Sequence, residues 1–137
     1  MDFRKPEPVP EKEAVLLNML QLAYIGDAAW ELLVRNQLIR SGLNVHHMHS
    51  ECIRYVNAHA QAEFARRISP ILTQFEAELV RRGRNSHFHH PVPKNQNPED
   101  YSLATGFEVL IGFLHLTGDE NRIYDLAGMI FGGEENG

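Results

Sequence analysis

From Leu22 onward the apolar residues fall at Leu22, Ile25, Ala29, Leu32, Leu33 and Ile39, the i, i+3, i+4, i+7 repeat of one helical face, and the run stops at Gly42. This predicts a first long helix over 22–40. On its other face Asp27, Glu31 and Arg35 stand four residues apart and form one polar stripe. A second periodic segment, Ser50 to Ile68, is rich in Ala, carries Tyr55, Val56, Phe64 and Ile68, and is bounded by Pro70. Ile71 to Arg82 repeats the pattern, with Gly83 as a left-handed terminator. Gly83 to Pro98 holds three prolines and three asparagines and has no period, so it is expected to be a loop. Loops beyond about 12–15 residues usually carry function or are disordered. Glu99 and Asp100 then open a helix from Tyr101 to Leu116, and Glu120 to Phe131 forms a short last helix. With no alternating run longer than four residues and no internal repeat, the pattern is all-α. Residues 1–13, with three of the seven prolines and four acids, are expected to be a flexible lead-in, 14–131 one helical domain, and 132–137 a flexible tail.

Composition narrows the class. At 137 residues, 43% hydrophobic and 23% charged, there is room for one soluble domain. The single cysteine, Cys52, excludes an internal disulfide and any cysteine-based metal knuckle, which suits a reducing cytoplasm. No run approaches the ~20 apolar residues of a membrane span, and Met1-Asp2-Phe3-Arg4-Lys5-Pro6 lacks the apolar core of a signal peptide. A cytoplasmic protein with no membrane partner is expected. The net charge of −5 repels nucleic acid unless the cations are gathered in one place. They are: Arg81, Arg82, Arg84 and Lys94 lie between Leu79 and Pro98 with no acid among them, while 1–13 and 119–137 hold nine of the eighteen acids. A loop mixing Arg, Lys, Asn, Ser and His offers phosphate and 2′-hydroxyl contacts with few base-stacking rings, as suits a shape reader of double-stranded RNA. The plain alternative is a solvated connector.

The chemistry points to two acids. Residues 101–116 are apolar almost all round, so that helix is expected to be buried. Within it Glu108 shares a narrow stripe with Thr105, Gly112 and His115. A buried carboxylate costs several kcal/mol unless it is paired, protonated or bound to a cation. A salt bridge or a protonated acid would answer that cost; so would a hard divalent cation such as magnesium. Asp27 is the natural second acid, because Ala23, Gly26, Ala28 and Ala29 around it let another helix approach closely. Glu31 either supports such a site or pairs with Arg35. A zinc site between His46, His47, His49 and His87, His89, His90 is a competing idea that lacks helical ligand spacing and companion acids.

Leu22-Ala23-Tyr24-Ile25-Gly26-Asp27-Ala28-Ala29-Trp30-Glu31, Arg82-Gly83-Arg84-Asn85, Pro93-Lys94-Asn95 and Thr105-Gly106-Phe107-Glu108-Val109-Leu110-Ile111-Gly112 occur in that order. In this combination the chain resembles the ribonuclease III family, and within it the mini branch, from about Leu17 to Phe131. The resemblance implies an all-helical, homodimeric endoribonuclease that hydrolyses double-stranded RNA with magnesium. The mini branch implies maturation of the 23S ribosomal RNA precursor, with a large-subunit ribosomal protein as a candidate partner and no appended RNA-binding domain. It places Asp27 on the family's catalytic aspartate and Glu108 on its metal-binding glutamate. Arg84, Asn85 and Lys94 would hold the RNA backbone, with Glu31 and Thr105 standing behind the two ligands. Ala23 and Thr105 occupy positions where the classical enzymes usually carry Glu and Asp, a departure the mini branch shares. The long first helix is expected at the dimer interface with Tyr24 or Trp30 packed in it. Other readings stay open: a noncatalytic ribonuclease III-like scaffold on the ribosome, or a helical interaction module with no RNA role. Should the 83–98 loop not bind RNA, Arg54, Arg66 and Arg67 would be the anchors.

Overall fold

A computed structural model describes residues 1–86 and 92–135, with 133–135 as backbone alone. Its described elements are helices α1 (Glu11–Ala14), α2 (Met19–Leu38), α3 (Val45–Val56), α4 (Ala58–Ile68), α5 (Gln74–Asn85), α6 (Pro98–Leu116) and α7 (Glu120–Glu135), with a 3-10 turn at Ser69–Ile71. The middle of the molecule is α6. Ala104, Phe107, Leu110, Ile111 and Leu114 are buried on one side and Gly106, Val109 and Phe113 on the other, so this helix is surrounded by α2, α4 and α5. It starts three residues before Tyr101, because Pro98 suits the first helical position and the Asn97 side chain accepts from the Glu99 and Asp100 amides.

An aromatic cluster fills the space under α2 and α7. Trp30 is fully buried, edge-on to Phe107 at 5.0 Å and stacked on Phe131 at 5.8 Å, and its indole N–H donates to the Tyr55 carbonyl at 2.9 Å. Trp30 therefore belongs to the protomer's own core and is not available to a dimer interface. Across the other end, Glu76 pairs with Arg122 at 2.7 Å and ties α5 to α7. The N-terminal segment is fixed at Val9, whose amide donates to the Leu116 carbonyl at 2.8 Å, and Ala14 is buried in the core.

Five local expectations change. The segment 50–68 is two helices, because Asn57 takes an extended backbone (φ −76°, ψ 159°), accepts from the Ala60 amide and donates its side-chain amide to the Ile53 carbonyl. One residue ends α3 and starts α4. The stretch with His46, His47 and His49, outside every helix expected from the sequence, forms the first turns of α3, since Asn44 accepts from the His47 amide and caps it. Gly83 does not terminate α5. It lies inside the helix, where a Cβ would come within 2.8 Å of the Gly106 Cα, and its role is close helix packing. The start of α5 moves to Gln74 because Thr73 and Glu76 form a reciprocal capping box. The expected loop is shortened at both ends, Gly83–Asn85 and Pro98 being helical. His87, His89 and His90 lie outside the described residues.

Candidate active site

The crossing of α2 and α6 is built on glycine. A Cβ on Gly26 would lie 1.8 Å from the Glu108 carbonyl oxygen, and one on Gly112 would lie 1.9 Å from that of Leu22. The two backbones run antiparallel in direct contact, so the residue after Gly26 and the side chain of Glu108 emerge beside one another. These residues are Asp27, exposed, and Glu108, half-buried. Burial drives the Glu108 carboxyl up to about 9, helped by its hydrogen bond to Asp27 and by the Asp27 charge. Glu108 is therefore held toward its protonated form at neutral pH. Among the described residues no group of three or more His, Cys, Asp or Glu is placed to hold a metal ion, so the site is a carboxylate pair.

The remaining sequence candidates fall around this pair. Thr105, one turn before Glu108, is buried, and its hydroxyl donates to the Tyr101 carbonyl at 3.1 Å. Glu31 pairs with Arg35 at 3.2 Å. Arg84 and Asn85 are exposed in the last turn of α5, and Lys94 is exposed in the turn that leads to α6. Gly83, next to Arg84, abuts Gly106, two residues before Glu108, which brings the end of α5 close to the acids. The alternative anchors are already engaged: Arg54 with Glu51 at 3.0 Å, Arg66 with Asp100 at 2.9 Å, and Arg67 donating to the Ile130 carbonyl at 2.8 Å.

Reading the sequence did not separate Arg82 from its neighbours. Arg82 is half-buried, whereas Arg81 and Arg84 are exposed. The signal that separates them is the helical rotation about Gly83, which is visible only once that glycine is placed inside the helix.

The Ribonuclease III domain model matches residues 20–119, a span that contains every candidate named above. The chain belongs to the ribonuclease III family. It is 43% identical over 108 residues to Mini-ribonuclease 3 of Symbiobacterium thermophilum, covering 78% of this chain and 82% of that protein. Against Mini-ribonuclease 3 of a Thermoanaerobacter species it is 39% identical over 128 residues, covering 92% and 89%. A crystal structure of a Fusobacterium nucleatum protein superposes with a TM-score of 0.79 at 27% identity, covering 87% of this chain and 95% of that one. As a ribonuclease III family member, the protein is an endoribonuclease acting on double-stranded RNA. No helix among the described residues is long and apolar enough to cross a membrane.

Proposed function

We propose that this ribonuclease III family protein is a magnesium-dependent enzyme of the cytoplasm, homodimeric, that trims the 23S ribosomal RNA precursor by hydrolysing phosphodiester bonds at Asp27 and Glu108. The observation that carries this reading is the carboxylate pair, held together by a glycine crossing, with Glu108 pushed toward its protonated form by burial and by Asp27. Two oxygen-donor side chains brought this close would suit a small hard cation, which they would hold in place of the Glu108 proton. Bound there, magnesium would supply the positive charge that phosphodiester hydrolysis needs at the scissile phosphate.

The chain's own residues do the rest. Asp27 and Glu108 would hold the cation and fix its place relative to α6. Thr105 keeps the turn that carries Glu108 in register through its bond to Tyr101, and Glu31 restrains Arg35 one turn beyond Asp27. Arg84 and Lys94 contact backbone phosphates, and Asn85 adds a neutral hydrogen bond. In the dimer two carboxylate pairs face the two strands of one duplex. The exposed stripe Tyr24, Ala28, Leu32 on α2 is the apolar surface for that contact.

Purified protein incubated with a plain RNA duplex, and with precursor ribosomal RNA, with and without magnesium, tests the reading. Cleavage that needs magnesium and is lost in Asp27→Asn is expected. Salt-sensitive duplex binding without cleavage would instead make the protein a noncatalytic scaffold. Adding large-subunit ribosomal proteins to the same assay tests for a required partner.

A further inference from the structure

Two arginines of the described residues are half-buried, Arg122 and Arg82. Arg122 spends its charge on Glu76. Arg82 has no hydrogen bond or salt bridge among the described residues. Glu78, four residues earlier, feels its charge, but that carboxylate is held by Arg81, whose Nε donates to it at 2.8 Å. A guanidinium that has lost part of its water without gaining an anion is costly to keep unless a ligand supplies the anion.

The geometry of α5 says where that anion would lie. At 100° per residue, Arg82 and Arg84 project from opposite flanks of the helix whose Gly83 presses on α6. Arg84 shares its flank with Ala77, Val80 and Arg81, and these line a groove against Ala65 and Arg66 of α4. The flank of Arg82 is shared with Phe75, seven residues earlier, which packs edge-on against Phe113 of α6 at 5.2 Å. α5 also touches α2, the helix of Asp27. Gly83 abuts Gly106, so Arg82 stands level with the turn of α6 that leads into Glu108.

We propose that Arg82 is a positioning residue for cleavage: its guanidinium grips, in bidentate fashion, a phosphate of the strand being cut and seats it over Asp27 and Glu108, while Arg84 contacts the duplex from the other flank. This rests on the endoribonuclease reading. A planar fork matches two phosphate oxygens in a way that a lysine ammonium does not.

The test uses the full chain with magnesium and a plain RNA duplex, and compares Arg82→Ala, Arg82→Lys and Arg84→Ala for KM, kcat and the salt dependence of binding. Binding is measured on an uncleavable Asp27→Asn background. Arg82→Ala is expected to weaken binding about tenfold or more, to reduce the salt slope by about one, and to lower kcat. Arg82→Lys restores the slope but not kcat. Arg84→Ala changes KM and leaves kcat alone. Thermal stability of Arg82→Ala should be unchanged or higher, since an unpaired half-buried charge is removed; a lower melting temperature with wild-type RNA binding would show a purely structural arginine. Wild-type KM, kcat and slope in Arg82→Ala overturn the proposal. If the parent protein cuts no duplex, the endoribonuclease reading fails instead, and the binding series on the Asp27→Asn background still decides the role of Arg82.

Discussion

At the scale of single residues, the state of Glu108 is the decisive property. Its carboxyl titrates near 9 against an ordinary 4.5, so folding favours the protonated form. The stabilisation is fully present below the ordinary carboxylate value and is lost as pH rises through the folded value. Metal-free protein should therefore lose stability steadily from about pH 5 to about pH 9, and Glu108→Gln should abolish that slope. Urea melts in a chelating buffer across this range check it; a flat wild-type profile would mean that Glu108 is solvated and ionised. Because the cation must displace the proton, magnesium binding should strengthen as pH rises. Asp27→Asn and Glu108→Gln are each expected to abolish cleavage while keeping wild-type helicity, because each removes a ligand oxygen without altering size.

At the scale of elements, close helix contact creates the site. Gly26→Ala places a methyl 1.8 Å from a backbone carbonyl, which no rotamer can relieve, so α2 and α6 must part. A loss of about 1–3 kcal/mol is expected from such overpacking, together with loss of cleavage as the two carboxylates separate. Gly128→Ala is the control: nothing lies within 4 Å of its added Cβ, so this change in α7 should be neutral or stabilise by up to about 1 kcal/mol. Chemical melts of both variants, with cleavage assayed beside them, separate the geometric effect from the general preference of helices for alanine. Equal stability of Gly26→Ala and wild type would contradict the tight crossing.

For the whole molecule, Tyr24 and Trp30 now have opposite roles although both lie on α2. Tyr24 is 84% exposed and Trp30 is fully buried. Tyr24→Asp should convert the proposed dimer to a monomer of unchanged fold, because it would put a charge into the proposed apolar contact between copies. Trp30→Ala should instead lose about 3–5 kcal/mol through the cavity it leaves among Phe64, Phe107 and Phe131. Sedimentation of the two variants beside their unfolding curves distinguishes them. A dimer that survives Tyr24→Asp would move the interface away from this face.

Periodicity alone determined that the chain is helical, that residues 101–116 form the buried helix, and that Glu108 within it needs a partner. Those conclusions are local, since a 3.6-residue repeat and a lone acid on an apolar helix are visible without any neighbour. The small residues around Asp27 likewise announced a close approach. What they approach was decided only in three dimensions, where Gly26 meets Gly112 and brings Asp27 to Glu108. The break at Asn57, the helical place of Gly83 and the burial of Trp30 were also tertiary decisions. Each residue has more than one acceptable local role: asparagine can end a helix or start one, glycine can stop a helix or let another touch it, and a tryptophan on an apolar stripe can face a core or a second copy. Packing against α6 selected among them, because the observed arrangement buries α6 against α2, α4 and α5 and still leaves its carboxylate facing Asp27.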